Sequence, residues 1–427
     1  MSKKKIVFVS LAVDYLHAGH LRIIKIAKKY GNVVIGLMTD NAISEYKSLP
    51  LLSYNERKKI IESLSGIHKV IKQDDADHTK TLEKVKPNYF VHGSDWKFDN
   101  RKKIRSKVIK TLKKINCKLI EPKYSKVHDY DVRKKLTKYF SPDIRVSNLK
   151  RLIQTKKIVR VLESHNSLTG LIIENLKYDD KEEFDCMWSS SLADSLTRGK
   201  PDDQSVDFST RISGINEIID VTTKPLIFDA DNGGRVEHIH FTVKTLERLG
   251  VSAIIIEDKV GLKQNSLFSD QKKAEQDSIQ EFSNKIKVAS TAKRSKDFMI
   301  IARIESFILG KGLNDALKRA EAYSKAGADA IMIHSKESNP NEVFSFSKKF
   351  SKSNFFKPLV CVPSTYSKVT EKELIKNNFK IVIYANQMIR SAYPSMVEVA
   401  KSILKNKRSY EQEKKMTSIK NIISLVK

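Results

Sequence analysis

Between residues 158 and 385 short apolar runs recur, separated by helical patterns, and this spacing constrains the fold more than any other feature. The runs fall at 158–163, 184–189, 225–230, 252–257, 298–304, 329–334, 358–362 and 379–385. Such runs, alternating with amphipathic stretches such as Leu313–Ala326, read as buried parallel strands joined by helices. Eight of them predict a (β/α)8 barrel over residues 156–405.

Several runs end in polar residues: Trp188-Ser189-Ser190-Ser191, Asp229-Ala230-Asp231, Glu257-Asp258, Arg303-Ile304-Glu305, His334-Ser335-Lys336 and Asn386. In a barrel the carboxyl ends of the strands form the catalytic rim. Taken singly, each residue has a structural reading. An Asp there caps the next helix, an Arg-x-Glu pair is often a buried ion pair, and a His after an apolar run is often a satisfied core group. Polar groups at six of the eight ends outweigh that reading for the set. Asp229, Asp231 and Glu257 end neighbouring strands and form a hard-oxygen set suited to Mg²⁺. The segment that follows, Asp258-Lys-Val-Gly-Leu-Lys-Gln-Asn-Ser266, has little apolar content and reads as a mobile loop able to close over a phosphorylated substrate.

The first 140 residues carry a second strand–helix alternation. Strands are expected at 6–13, 32–38, 69–71, 89–92 and 118–120, with helices at 21–30, 55–64, 79–86 and 101–115. That order predicts a doubly wound, Rossmann-like parallel sheet. Tyr139-Phe-Ser-Pro-Asp143 favours a turn over a continued helix. The expected organisation is therefore a domain over 1–140, a linker over 141–155, and a barrel with a helical tail over 156–427. Between the first strand and helix lies His17-Ala18-Gly19-His20, where two imidazoles and a helix N-terminus can hold phosphates.

Net charge is +29, with 34 Lys+Arg against 15 Asp+Glu in residues 1–150 (+19) and 45 against 35 in the rest (+10). The lysines are scattered over helix faces and not interleaved with aromatics. Neither nucleic acid nor membrane is therefore expected as a partner, whereas anionic small molecules suit the field. Cys117, Cys186 and Cys361 lie far apart without a Cys-x-x-Cys pair, which argues against disulfides or zinc and fits a cytoplasmic protein. The apolar run after Met1-Ser-Lys-Lys-Lys5 is cut short by Asp14 with no cleavage site following, so it reads as a strand and not a signal peptide.

The ordered set of barrel motifs resembles the phosphoenolpyruvate mutase branch of the isocitrate lyase superfamily over residues 160–400. The resemblance implies that Trp188, Ser190, Ser191 and Leu192 bind the substrate carboxylate, with Ser191 replacing a usual Gly. It implies that Asp229, Asp231 and Glu257 hold Mg²⁺, and that Asp202, Lys263, Asn265, Ser266, Arg303 and His334 are catalytic. Lyases of the superfamily carry a Lys-x-Cys-Gly-His loop, and Lys259-Val-Gly-Leu-Lys263 has no Cys. Hydrolases of the superfamily lack the mutase Asn, so Asn265 points to a mutase interconverting phosphoenolpyruvate and phosphonopyruvate. A phosphonopyruvate hydrolase is the alternative. Family barrels exchange their last helix between neighbours, which implies a homo-oligomer, dimer or tetramer, through the segment after Tyr393.

In the front domain, Asp14, His17, His20, Tyr54-Asn-Glu-Arg57 and His92-Gly-Ser-Asp95-Trp96 resemble the cytidylyltransferase family over residues 5–135. The resemblance implies CTP as substrate, with Asp14, His17, His20, Arg57 and Asp95 at the nucleotide. Two motifs depart from the family: Leu11-Ala-Val-Asp14 lacks a phosphate-contacting Thr, and Pro122–Asp129 lacks the usual Arg and most of the hydroxyls. A working transferase on a phosphonate and a nucleotide-binding or structural remnant both stay open. So does a nucleotidyltransferase that uses the barrel only as a scaffold.

Overall fold

The computed structural model of the chain describes residues 5–13, 16–45, 49–97, 102–123, 142–179, 182–261, 263, 265–266 and 274–426. Asp14, most of the 122–129 segment, and residues 262 and 264 of the expected loop lie outside these. The chain divides near residue 140 into two compact units.

The front unit is a five-stranded parallel sheet of β1 (Ile6–Leu11), β2 (Asn32–Met38), β3 (Ile67–Gln73), β4 (Tyr89–Val91) and β5 (Lys118–Ile120), in the order β3-β2-β1-β4-β5. Alternation along β1 sends Val7 and Val9 to one face, where they pack with Val33, Ile35 and Ile24. Phe8 goes to the other face, with Phe90, Trp96, Val108 and Leu112. Because β1 runs out to β2 on one side and β4 to β5 on the other, the sheet has its switch point between β1 and β4. In doubly wound sheets the crevice beyond that point takes the ligand. β1 stops at Leu11 and not at residue 13: Val13 has φ 44°, a left-handed turn residue that cannot continue a strand.

The second unit is a closed barrel of eight parallel strands: β6 (Val159–Glu163), β7 (Cys186–Ser189), β8 (Leu226–Asp229), β9 (Ala253–Glu257), β12 (Met299–Ile304), β13 (Ala330–Ile333), β14 (Leu359–Cys361) and β15 (Phe379–Tyr384). A two-stranded antiparallel ribbon, β10 (Lys259–Val260) and β11 (Glu275–Gln276), leaves the barrel after β9. Val146 on the preceding helix and buried residues of the barrel, such as Leu246, Ile300 and Phe346, form one continuous core.

The 141–155 segment, expected as a linker, is a helix (Pro142–Thr155) belonging to the barrel unit. Pro142 is its first residue, a position where a missing N–H costs nothing. Val146, Leu149, Leu152 and Ile153 are buried, and Arg145 donates to the carbonyls of Ile219 and Thr222. The long helix Gln387–Asn406, which two short helices (Tyr410–Glu413 and Ile419–Ser424) follow, is the opposite case: none of its residues is buried. Among the described residues no helix is long and apolar enough to cross a membrane.

Candidate active site

The barrel's carboxyl rim gathers the charged strand ends into two connected clusters. In the first, β8 delivers Asp229 and the turn beyond it Asp231. Asp231 is held at φ 52°, a conformation uncommon for residues other than Gly, Asn and Asp, and its N–H donates to Asp229 Oδ1 at 3.1 Å. Lys263 reaches in from the loop: its Nζ lies 2.5 Å from Asp231 Oδ1, 3.2 Å from Asp202 Oδ1 and 3.7 Å from Asp229 Oδ2. Its ammonium also donates to Ser191 Oγ, which in turn bonds Asp229 Oδ2 at 2.9 Å. Asn265 Nδ2 donates to the other Asp202 oxygen at 2.9 Å. Ser190 caps the short helix Ser191–Leu196, which places the Ser191 N–H 3.4 Å from Asp229 Oδ2 and Leu192 on the first turn.

The second cluster is built on Arg303. Its Nε meets Glu305 at 2.6 Å, and its Nη2 lies 3.3 Å from Glu257, 2.9 Å from Ser266 Oγ and 3.0 Å from His334 Nδ1. Ser266 donates to Glu305 at 2.6 Å and accepts from Lys259 Nζ at 2.9 Å. The two loop residues thus reach different clusters, Lys263 the Asp229 side and Ser266 the Arg303 side.

Burial sets the electrostatics. It opposes charge on Lys263, but Asp229, Asp231 and Asp202 outweigh it and hold the ammonium above its ordinary pKa. Burial likewise opposes ionisation of Asp229, yet Lys263, Arg303 and Arg211 hold its carboxyl well below the usual range. Glu257 goes the other way: burial, with Glu305 close by, pushes it up to about 7. Burial and the Arg303 charge lower the His334 pKa, which favours a neutral imidazole.

Among the described residues no three His, Cys, Asp or Glu side chains form a ready metal cage, so the expected Asp229–Asp231–Glu257 triad is not preassembled. Lys263 stands against the Asp229–Asp231 pair instead, 3.7 and 2.5 Å from its oxygens. The donor chemistry still fits a hard cation. Asp231 Oδ1, Glu257 Oε2 and Asp202 Oδ1 are buried without a hydrogen bond among the described residues and face only charge partners. Trp188 Nε1 is buried and without a hydrogen bond as well.

Two residues that support the site were missed in the sequence. Arg211 is buried and donates to Asp194 Oδ2 at 2.9 Å and to the Asp229 carbonyl at 2.6 Å, with its guanidinium over the Phe228 ring. Lys259, buried between Glu257 and Glu305, is the other. The signal for Arg211 was present, because it shares the apolar stripe of its helix with Ile215 and Ile218.

In the front unit His17 caps the helix Ala18–Ala27, its Nδ1 accepting the Gly19 N–H at 3.0 Å. A neutral His17 therefore carries its proton on Nε2. The His17 and His20 rings lie 3.9 Å apart, and His92 stacks on Trp96 at 3.8 Å. Asp95 lies on a 3₁₀ turn, Ser94–Lys97. Arg57 departs from expectation. It is fully buried and bonds the carbonyls of Ala12, Leu52 and Met38 and the Asp40 carboxylate, so it braces the loops after β1 and β2 and is not presented to a ligand.

The profile of the family described as phosphoenolpyruvate phosphomutase matches residues 149–404, and that described as cytidylyltransferase-like matches 13–151. A phosphoenolpyruvate phosphomutase from Tetrahymena pyriformis is 33% identical over 291 residues, 68% of this chain and 94% of the relative. A phosphonopyruvate hydrolase from Variovorax sp. (strain Pal2) is 34% identical over 279 residues, 65% of this chain and 93% of the relative. A solved phosphonopyruvate hydrolase in complex with oxalate and Mg²⁺ superposes with a TM-score of 0.60 at 32% identity, covering 67% of this chain and 95% of that one. A barrel of this superfamily with charged strand ends, behind a parallel-sheet domain, agrees with both matches, and the chain belongs to the phosphoenolpyruvate phosphomutase family, with a cytidylyltransferase-like domain at its front.

Proposed function

We propose that the barrel is a phosphoenolpyruvate mutase, an isomerase interconverting phosphoenolpyruvate and phosphonopyruvate. The observation that carries this reading is the convergence of Lys263 and Asn265 on Asp202, 3.2 and 2.9 Å away. Isomerisation breaks the bond from phosphorus to the enol oxygen and forms one to C3 of the same pyruvate enolate, while the oxygen keeps its electron pair. A loosely bonded phosphoryl group is captured by any water within reach. A lysine and an asparagine pinned to one buried carboxylate exclude that water.

The remaining residues divide the work. Arg303, with His334 beside it, neutralises the phosphoryl oxygens. The Ser191 and Leu192 amides at the helix start, with Ser190 as its cap, seat the substrate carboxylate next to Trp188. Asp229, Asp231 and Glu257 would hold Mg²⁺, which supplies positive charge for the pyruvyl oxygens. The test is ³¹P NMR with phosphonopyruvate and Mg²⁺: phosphoenolpyruvate is the expected product, and inorganic phosphate alone would replace the mutase by a hydrolase. The hydrolase is kept as a second reading because the relatives of both activities are equally near.

For the front unit we propose CTP-dependent nucleotidyl transfer to a phosphonate. The support is the placement of His17 and His20 after β1 and of His92 and Asp95 after β4, the two strands flanking the switch point. Release of pyrophosphate from CTP by the full chain, dependent on a phosphonate acceptor, tests it. We further propose that the barrel assembles as a dimer or tetramer through the helix Gln387–Asn406, whose lack of buried residues supports the reading.

A further inference from the structure

Asp258 follows Glu257 directly, yet its side chain takes no part in the clusters described above. It is fully buried, and its two oxygens accept four hydrogen bonds. Oδ1 accepts the backbone N–H of Glu305 at 2.9 Å. Oδ2 accepts Gln276 Nε2 at 2.8 Å, the Tyr323 hydroxyl at 2.8 Å and Arg319 Nη1 at 3.2 Å. Arg319 also donates to the Asp277 carbonyl at 2.8 Å and pairs with Asp315, while Gln276 donates a second time, to Ser306 Oγ at 3.2 Å. The Asp258 carbonyl accepts the Asp277 N–H at 2.8 Å.

These partners come from three places, the returning limb of the ribbon at Gln276–Asp277, the residues after β12 and the helix Gly312–Ala326, and Asp258 at the end of β9 is the fourth element they meet. A buried carboxylate with this many donors costs a large desolvation unless every bond is kept, so the four elements share one geometry. The ribbon pairs Lys259 with Gln276 and Val260 with Glu275. Lys263, Asn265 and Ser266 hang from that ribbon, and Glu305, the acceptor of the Ser266 hydroxyl, is tied to Asp258 through its own N–H.

We infer that Asp258 and Gln276 are positioning residues that fix the ribbon to the barrel, and that this fixes where Lys263, Asn265 and Ser266 stand over the substrate. Gln276 is the more informative half. It touches no reacting group, and it is the side chain by which the returning limb grips the Asp258 hub. The inference rests on the mutase reading for its catalytic consequence and on hydrogen bonds alone for its structural part, so the two can be separated.

The experiment compares full-length parent, Gln276→Leu and Gln276→Lys. Leu keeps the bulk and removes the donor; Lys restores a donor to Asp258. Gln276→Leu should slow isomerisation of phosphonopyruvate about tenfold, the size expected for one hydrogen bond to a charged group. It should also raise the share of inorganic phosphate in the ³¹P spectrum, with KM changed less than kcat, and Gln276→Lys should recover most of the rate. Amide hydrogen exchange of peptides covering 258–266 should be faster in Gln276→Leu and return toward parent in Gln276→Lys. Parental exchange and product ratio in Gln276→Leu would overturn the inference, as would equal loss of rate in both variants without phosphate release. A parent that yields only phosphate, with exchange still responding to the Leu and Lys variants, would remove the mutase reading and leave the positioning role standing.

Discussion

Lys263 sits where a site built for divalent metal would leave room, with three carboxylates around one ammonium. Any cation that takes Asp229 and Asp231 must compete with that charge. Asp229→Ala or Asp231→Ala should reduce turnover at least about a thousandfold, as expected for removing a preorganised charge in a buried site. Chelation of the parent by EDTA should do the same, restored by Mg²⁺; full activity in chelator would exclude the metal. Asn265→Ala should depress isomerisation and release inorganic phosphate, and an unchanged mutase rate would show that the Asp202 contact is not part of the seal. Asp229 and Asp231 were legible because they stand at the end of an apolar run, whereas Lys263, Asn265 and Asp202 lie in loops and came from the family resemblance alone. Arg211 was marked only as a charge on the apolar stripe of its helix; its pairing with Asp194, which lies on another helix, is made by the fold. Arg211→Met should destabilise the barrel by about 3 kcal/mol by leaving Asp194 buried and unpaired, readable in urea denaturation.

At the scale of elements, the sheet and the barrel were both legible because each is a buried parallel sheet whose strands are continuous apolar runs separated by helical patterns. Ends were less legible. Proline in Ser141-Pro142-Asp143 signals a turn or a helix start equally well, and packing against the barrel decided for the helix. In the front unit a carboxylate joins β5 to the elements beside it. Glu121, just after β5, accepts from Arg105 Nε and Nη2, both at 2.8 Å, and from Trp96 Nε1 at 2.7 Å. The Arg105 bonds, against burial and helped by Lys97 and Trp96, bring its pKa down to about 2 from 4.5. A carboxyl depressed on folding binds fewer protons folded than unfolded. Its contribution is therefore complete above about pH 4.5 and is lost as pH falls toward about 2. Arg105→Met should cost about 1 kcal/mol at pH 7, since the pair is partly exposed, and that difference should vanish near pH 2. A pH-independent difference in thermal denaturation would show that the loss is one of packing.

For the whole molecule, the helix Gln387–Asn406 carries Tyr393, Met396 and Leu404 with 58–68% of their surface exposed. Apolar side chains at that density call for a cover. Multi-angle light scattering of the full chain should give a dimer or tetramer, and Leu404→Glu should shift it toward smaller species; a monomeric parent would count against the barrel as the assembly site. For this segment the only signal was the family resemblance, which implied that the chain after Tyr393 meets a neighbouring copy.

The helix Pro142–Thr155 has a practical bearing on how the two units can be studied apart. A fragment begun at residue 156 would be cut inside the barrel's own hydrophobic layer and would lose Val146 from the core together with the helix that packs on Ile239–Leu249. Begun near residue 140, the same fragment keeps that layer whole. The place to divide this protein, whether for expression, for crystallisation or for asking if its halves work independently, therefore lies upstream of the proline.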